Sequence, residues 1–110
     1  MPRNTKKLEE EISKAMNRKQ KAIAYYNLAL FHDNNAREIE AIPNYKMALK
    51  LGLGKDLKSK ALAWLASSLY KTGKQKEALK ITKQAMRQAD KKLQKFLTGL
   101  QREIAKSIRI

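Results

Sequence analysis

The sequence predicts an all-α protein, and three observations support that prediction. Apolar residues recur at helical spacing throughout the 110 residues, as in Leu8, Ile12 and Ala15. No segment alternates apolar and polar residues as a half-buried strand does. A shift of 37 residues aligns the chain with itself and gives seven identities between residues 22 and 49. We therefore expect about five to six helices, some of them in a repeated arrangement.

The N-terminal part contains one predicted helix or two. Asn4 or Thr5 can cap the first helix, and Glu9 to Glu11 follow near its N-terminus, where negative charge is favourable. A second apolar run extends from Ala22 to Phe31, and no Gly or Pro separates the two runs. The pattern is therefore compatible with one long helix and with two helices that bend near Asn17.

Turn signals divide the rest of the chain. They lie at residues 33–35, 52–54 and 71–73, which are rich in Asn, Asp and Gly. Pro43 falls inside the helix predicted for residues 36–51, where its missing N–H removes one backbone hydrogen bond. Two more helices carry the apolar sets that run from Ala78 to Met86 and from Leu93 to Ile108.

The repeated residues resemble the tetratricopeptide repeat, a helix pair with the pattern aromatic-x2-Leu-Gly-x2-Tyr, then Ala-x3-Phe. The matching positions are Tyr25, Leu28, Ala29, His32, Ala41, Tyr45 and Ala48, then Leu62, Leu65, Ala66, Leu69, Gly73, Ala78, Thr82 and Ala85. Ala29 and Ala66 stand in the small Gly position, and Thr82 replaces the expected large ring. The resemblance covers about residues 22–87. Parts of this segment also look like a bacterial subgroup of such proteins.

The resemblance implies one helical-repeat domain over residues 1–110, arranged as an α-α superhelix. Its predicted parts are an N-terminal capping helix or extension (4–21), repeat 1 (22–54), repeat 2 (55–88) and a C-terminal capping helix or degenerate third repeat (89–110). Helical solenoids need about three repeats or a cap at each end. Leu93, Leu97 and Leu100 have no partner helix after them, so a homodimer through the terminal helices is an open alternative.

The resemblance also implies a concave groove lined by the first helix of each pair. The predicted partner-binding residues are Ile23, Tyr26, Asn27, Leu30 and Asn34 in repeat 1 and Lys60, Trp64, Ser67, Tyr70 and Lys71 in repeat 2. Rings supply buried contact area and lysines favour acidic partners, so we expect a protein or peptide partner of acidic character. For Trp64, packing against a neighbouring helix is an equally good interpretation.

Residue types suited to catalysis are scarce. His32 is the single histidine and falls at a packing position of repeat 1, and the chain has no cysteine. Ser67 and Ser68 have no histidine beside them in the helical pattern, as a nucleophile would need. Glu9 to Glu11 project in different directions from a helix, so they do not converge on one metal ion. We predict a non-enzymatic protein without metal or cofactor.

The net charge of +15 supports an alternative function. Residues 1–49 carry a net charge of +3 and residues 50–110 carry +12, with 19 Lys against 6 Arg in the whole chain. Bidentate phosphate contacts and base contacts favour Arg, so lysines on solvated helix faces are the preferred interpretation. Electrostatic binding of nucleic acid or another polyanion is the alternative, and a membrane-surface helix over residues 90–110 is a further one.

The sequence favours a cytoplasmic location. The basic N-terminus is followed by Leu8 and three glutamates rather than by the apolar run of a signal peptide. No apolar stretch approaches the roughly 18 residues of a membrane span. The lack of cysteine is compatible with a reducing compartment.

Overall fold

The computed structural model describes residues 5–108, and these residues form six α-helices and no strand. This confirms the predicted all-α repeat fold. The helices are α1 (Lys6–Lys14), α2 (Arg18–Asn34), α3 (Glu38–Leu51), α4 (Lys55–Lys71), α5 (Gln75–Met86) and α6 (Lys91–Ile108). The chain divides into two compact units, which are unit 1, up to Leu53, and unit 2, from Gly54. Asn4, one of the two predicted caps of the first helix, lies outside the described residues.

The two N-terminal apolar runs form two separate helices. α1 ends at Lys14, Ala15 is extended with ψ 130°, and α2 begins at Arg18. The side chain of Asn17 caps α2 by accepting a hydrogen bond of 2.8 Å from the backbone N–H of Gln20. Thr5 is the N-cap of α1, but its side chain makes no capping hydrogen bond. The alternative with two helices is therefore the correct one.

The core of unit 1 centres on Tyr45 of α3. Its side chain is fully buried, and its ring centroid lies 6.1 Å from that of Tyr26 on α2. The hydroxyl donates a 2.8 Å hydrogen bond to Oδ2 of Asp33, near the end of α2. Burial, and then the hydrogen bond to Asp33, raise the pKa of Tyr45 far above its usual range, so the hydroxyl keeps its proton and remains a donor.

Arg18 joins the beginning of α2 to the end of α3. Its Nε donates to the carbonyl oxygen of Leu51 at 2.9 Å, and its Nη2 donates to that of Lys50 at 3.3 Å. These carbonyls are among the last four of α3, which have no partner within the helix, and the dipole of the helix favours a cation there. α3 contains Pro43 in its interior and ends at Gly52, which has φ +108°.

Unit 2 is a three-helix assembly in which α6 covers α5 and also contacts α4. α6 contributes a buried stripe of Leu97, Leu100 and Ile104. In α5, Thr82 occupies the position equivalent to Tyr45 and donates a 2.7 Å hydrogen bond to the carbonyl of Ala78 in its own helix. The smaller side chain is therefore satisfied locally, without a partner on another helix.

The turns that close the two helix pairs have the same geometry. Ala36, between α2 and α3, has φ +57°, and Gly73, 37 residues later between α4 and α5, has φ +84°. In both turns the residue after this position donates a 2.8 Å hydrogen bond to a carbonyl five residues earlier, as in a Schellman motif. The two turns therefore occupy the same place in the repeat, and the helix predicted for residues 36–51 begins two residues later than expected, at Glu38. α3 starts at Glu38 because Ala36 is left-handed.

Replacing Ala36 by glycine is expected to raise the free energy of unfolding by about 0.5–1 kcal/mol. An L-residue in the left-handed region pays a steric cost that glycine avoids. The matched control is Ala105→Gly, the same change at an exposed position inside α6, which should lower stability by a similar amount. Urea unfolding of both variants measures the difference, and two changes of equal sign would contradict the assigned strain at Ala36.

Candidate protein-binding faces on the first helix of each repeat

Four predicted site residues form one stripe on α2 in unit 1. Their spacing is i, i+4, i+7 and i+11, which places them on one face of the helix. Ile23 and Leu30 are partly exposed, and Asn27 and Asn34 are exposed. We call these four residues the α2 stripe. It combines two apolar side chains with two amides that can both donate and accept hydrogen bonds.

Four predicted residues form the equivalent stripe on α4 in unit 2. Lys60, Trp64, Ser67 and Lys71 each lie 37 residues after a member of the α2 stripe. The two lysines are exposed, and Trp64 and Ser67 are partly exposed. We call this set the α4 stripe. Both first helices thus leave the same four positions accessible, although the side chains there differ in chemistry.

The two predicted tyrosines lie outside these stripes and differ from each other. Tyr26 is only 5% exposed, and its ring packs against Tyr45 within unit 1. Its side chain is therefore part of the core of that helix pair. Tyr70 is partly exposed near the end of α4, one residue before Lys71. Its role in binding a partner stays a prediction.

Trp64 makes a specific ring contact within unit 2. The Phe96 ring of α6 meets it edge to face, with 5.3 Å between the ring centroids. Phe96 is 41% exposed, so the pair has an accessible side as well as a packed one. The apolar pattern of α6 groups Phe96 with the core residues of that helix, so its exposure was not expected from the sequence. No sequence signal separates it from the buried Leu97, because adjacent residues of a helix can both be buried, as Leu28 and Ala29 are.

α1 forms one wall of an open depression beside the α2 stripe. The depression has a volume of about 240 Å³, and its lining includes Glu11 and Lys14 of α1 together with Ile23 and Asn27 of α2. The sequence predicts this part of the chain only as a capping helix or an extension. The charged pair from α1 could not be found from the repeat pattern, because α1 precedes the part of the chain that repeats.

A comparison with known families tests the resemblance. A family model described as tetratrico peptide repeat matches residues 10–105. The chain belongs to the tetratricopeptide repeat family. Tetratricopeptide repeat proteins are generally scaffolds for protein–protein interaction and are typically not enzymes. A search of curated proteins and a search of solved structures each found no match to the chain.

His32 occupies the packing position that the tetratricopeptide repeat pattern gives to a tyrosine. It is partly buried at the end of α2, and its ring meets that of Phe31 edge to face at 5.9 Å. Burial, followed by the nearby charge of Arg37, lowers the pKa of His32. Between residues 5 and 108 no group of three His, Asp or Glu side chains is arranged to hold a metal ion.

The terminal helices of this tetratricopeptide repeat protein bear on the homodimer prediction. That prediction depended on an uncovered apolar stripe in α6, and Leu97, Leu100 and Ile104 are instead buried within unit 2. Self-association stays a prediction, and light scattering over a range of concentrations tests it.

In the part of the chain that the structure describes, no helix is both long enough and apolar enough to cross a membrane.

Proposed function

We propose that this tetratricopeptide repeat protein is a non-enzymatic scaffold that binds other proteins through two separate faces, the α2 stripe of unit 1 and the α4 stripe of unit 2. One observation carries the proposal. Eight predicted positions, four in each unit and in the same repeat register, remain partly or fully exposed while the positions between them are largely packed. An open face that recurs at the same positions of each repeat is what an interaction scaffold offers to its ligands.

The chemistry of the two stripes indicates the kind of segment that they bind. The amides of Asn27 and Asn34 can hydrogen-bond the backbone of a peptide, and Ile23 and Leu30 offer apolar contact between them. In the α4 stripe, Lys60 and Lys71 lie on either side of Trp64 and Ser67, and unit 2 is strongly basic. We therefore propose that the α4 stripe binds an acidic protein segment and that the α2 stripe binds a segment with apolar side chains.

Paired substitutions test the proposal by affinity capture from a lysate. We expect Asn27→Ala/Asn34→Ala and, separately, Lys60→Ala/Lys71→Ala to reduce the recovery of the captured partner by about 10- to 30-fold. Two interface residues that each contribute about 1 kcal/mol produce a change of that size. All four residues are exposed, so the variants should keep their fold.

The control for the lysine pair is Lys55→Ala/Lys58→Ala. It removes the same charge from exposed positions on the same helix, outside the α4 stripe. Recovery with this control should stay within about twofold of the original protein, because scattered surface charges contribute little. Capture that survives both stripe variants would contradict the proposed site.

The cytoplasmic location remains a prediction that fractionation of cells can test.

A further inference from the structure

The solvent face of α5 in unit 2 is a continuous line of cations. Its spacing of i, i+4, i+7 and i+11 puts the four side chains within a narrow sector of the helix surface. All four are exposed, and the last follows directly on α5 with helical backbone angles. We call this set the basic face: Lys76, Lys80, Lys83 and Arg87.

The basic face has little compensating negative charge in its own segment. Glu77, the one acid of α5, lies in the first turn and is partly buried. From residue 78 to residue 89 the chain contains no Asp or Glu. Cations three and four residues apart on a helix repel one another, so this arrangement works against the stability of α5. Such a cost suggests a role in binding.

Repeat 1 shows that the fold does not require lysines at these positions. The residues 37 positions earlier, on α3, are Ile39, Pro43, Lys46 and Lys50. α3 also carries Glu38 and Glu40 in its first turn. Two helices with the same place in the repeat therefore present different surfaces, and the unbroken positive charge belongs to repeat 2 alone.

We propose that the basic face binds the phosphate backbone of double-stranded DNA without selecting a base sequence. The face is about 16 Å long at 1.5 Å per residue, and a B-form duplex presents roughly ten phosphate charges over that length. Regularly spaced lysines suit phosphates as point charges and carry no base specificity. This site shares no residue with the α2 stripe or the α4 stripe, so either proposal can fail without the other.

Other polyanions fit the basic face less well. Ala78, Thr82 and Ala85 on the opposite side of α5 are buried, so the helix has no free apolar side to insert into a lipid surface. Gln84 is the other exposed residue of α5. The exposed residues of α5 therefore include no aromatic ring to stack on single-stranded bases and no apolar anchor for a peptide, and Leu79 and Met86 beside the face are only partly exposed.

Salt-dependent binding of the full chain to duplex DNA tests the inference. We expect fluorescence anisotropy with two unrelated duplexes of about 20 base pairs to give equal affinities. Four phosphate contacts contribute a slope of about −3.6 to a plot of log K against log salt, or about a 150-fold loss between 50 and 200 mM. The triple variant Lys76→Gln/Lys80→Gln/Lys83→Gln should reduce the magnitude of the slope by about 2.7.

Matched variants separate the basic face from net charge. The triple variant Lys50→Gln/Lys55→Gln/Lys58→Gln removes the same charge from exposed positions elsewhere and should change the slope by less than about 0.5. An equal loss in both triples would overturn the proposal. Lys→Arg at residues 76, 80 and 83 should retain the binding, and circular dichroism confirms that each variant is folded. If the Gln triple does not fold, Lys80→Gln alone should lower the slope by about 0.9.

A competition experiment with the labelled duplex identifies the polyanion that the basic face prefers. Duplex DNA should displace the labelled duplex better than polyglutamate, duplex RNA or vesicles with anionic lipid, each at equal charge concentration. Stronger competition by polyglutamate would assign the face to an acidic protein, by duplex RNA to RNA, and by vesicles to a membrane surface. Any of these three results overturns the proposal.

Discussion

Replacing Tyr45 by alanine is expected to lower the free energy of unfolding by about 3–5 kcal/mol. The ring is fully buried against Tyr26, and deletion of a buried aromatic side chain leaves a cavity that the helices cannot close. Domains of this size have a total stability of only about 5–15 kcal/mol, so the variant should be close to unfolding at 37 °C. Urea unfolding followed by circular dichroism measures the change.

The hydroxyl of Tyr45 contributes separately from the ring. In Tyr45→Phe, Oδ2 of Asp33 loses a donor at 2.8 Å, and we expect a loss of about 1–3 kcal/mol, because an acceptor that carries charge is left without its partner. Tyr70→Phe is the control, since Tyr70 is partly exposed and its hydroxyl can bond to water. That change should cost less than about 0.5 kcal/mol. A Tyr45→Phe variant as stable as the original protein would show that the bond to Asp33 contributes nothing.

Replacing Leu97 by alanine is expected to cost about 2–4 kcal/mol. Leu97 is a fully buried member of the stripe by which α6 joins unit 2, and its removal leaves a cavity there. The neighbouring Phe96→Ala deletes a larger side chain but should cost only about 1 kcal/mol, because Phe96 is 41% exposed and loses chiefly its edge contact with Trp64. Thermal unfolding of the two variants compares them directly.

The reversed order of these two costs would contradict the packing of α6. If Phe96→Ala were the more destabilising change, the Trp64–Phe96 pair and not Leu97 would hold α6 in place. In that case the accessible side of the ring pair would have to be treated as core. The comparison therefore tests the role of α6 as the cover of unit 2 and the exposure of the α4 stripe together.

The helical fold was predictable because its signals are local. Apolar spacing, the Asn and Gly turns and the repeat of 37 residues located the three turns between α2 and α5 to within a few residues. The break between α1 and α2 was not predictable, because the apolar pattern runs through it. The hydrogen bond from the backbone N–H of Gln20 to the side chain of Asn17 decides it, and the sequence offered this break near Asn17 only as one of two alternatives.

The site was predictable only in part, because accessibility depends on contacts between elements. Eight of the ten predicted residues fall on the two stripes, since helical spacing alone selects a face. Tyr26 shares the apolar and aromatic character of its neighbours, and its burial follows from the ring of Tyr45 on another helix. Phe96 and the α1 wall of the depression likewise depend on how helices meet, which the repeat pattern does not specify.

The hydrogen bonds between Arg18 and the end of α3 couple the opening of the first turn of α2 to the opening of the last turn of α3. Such events are usually independent of each other. Helix ends fray one at a time, and each costs little free energy to open. Here the first turn of α2 and the last turn of α3 share one guanidinium, which contacts the carbonyls of Leu51 and Lys50. Opening of either helix end breaks the same two hydrogen bonds, so the two ends should open cooperatively. Unit 1 then has one fewer independently fraying helix end at which a protease can begin cleavage.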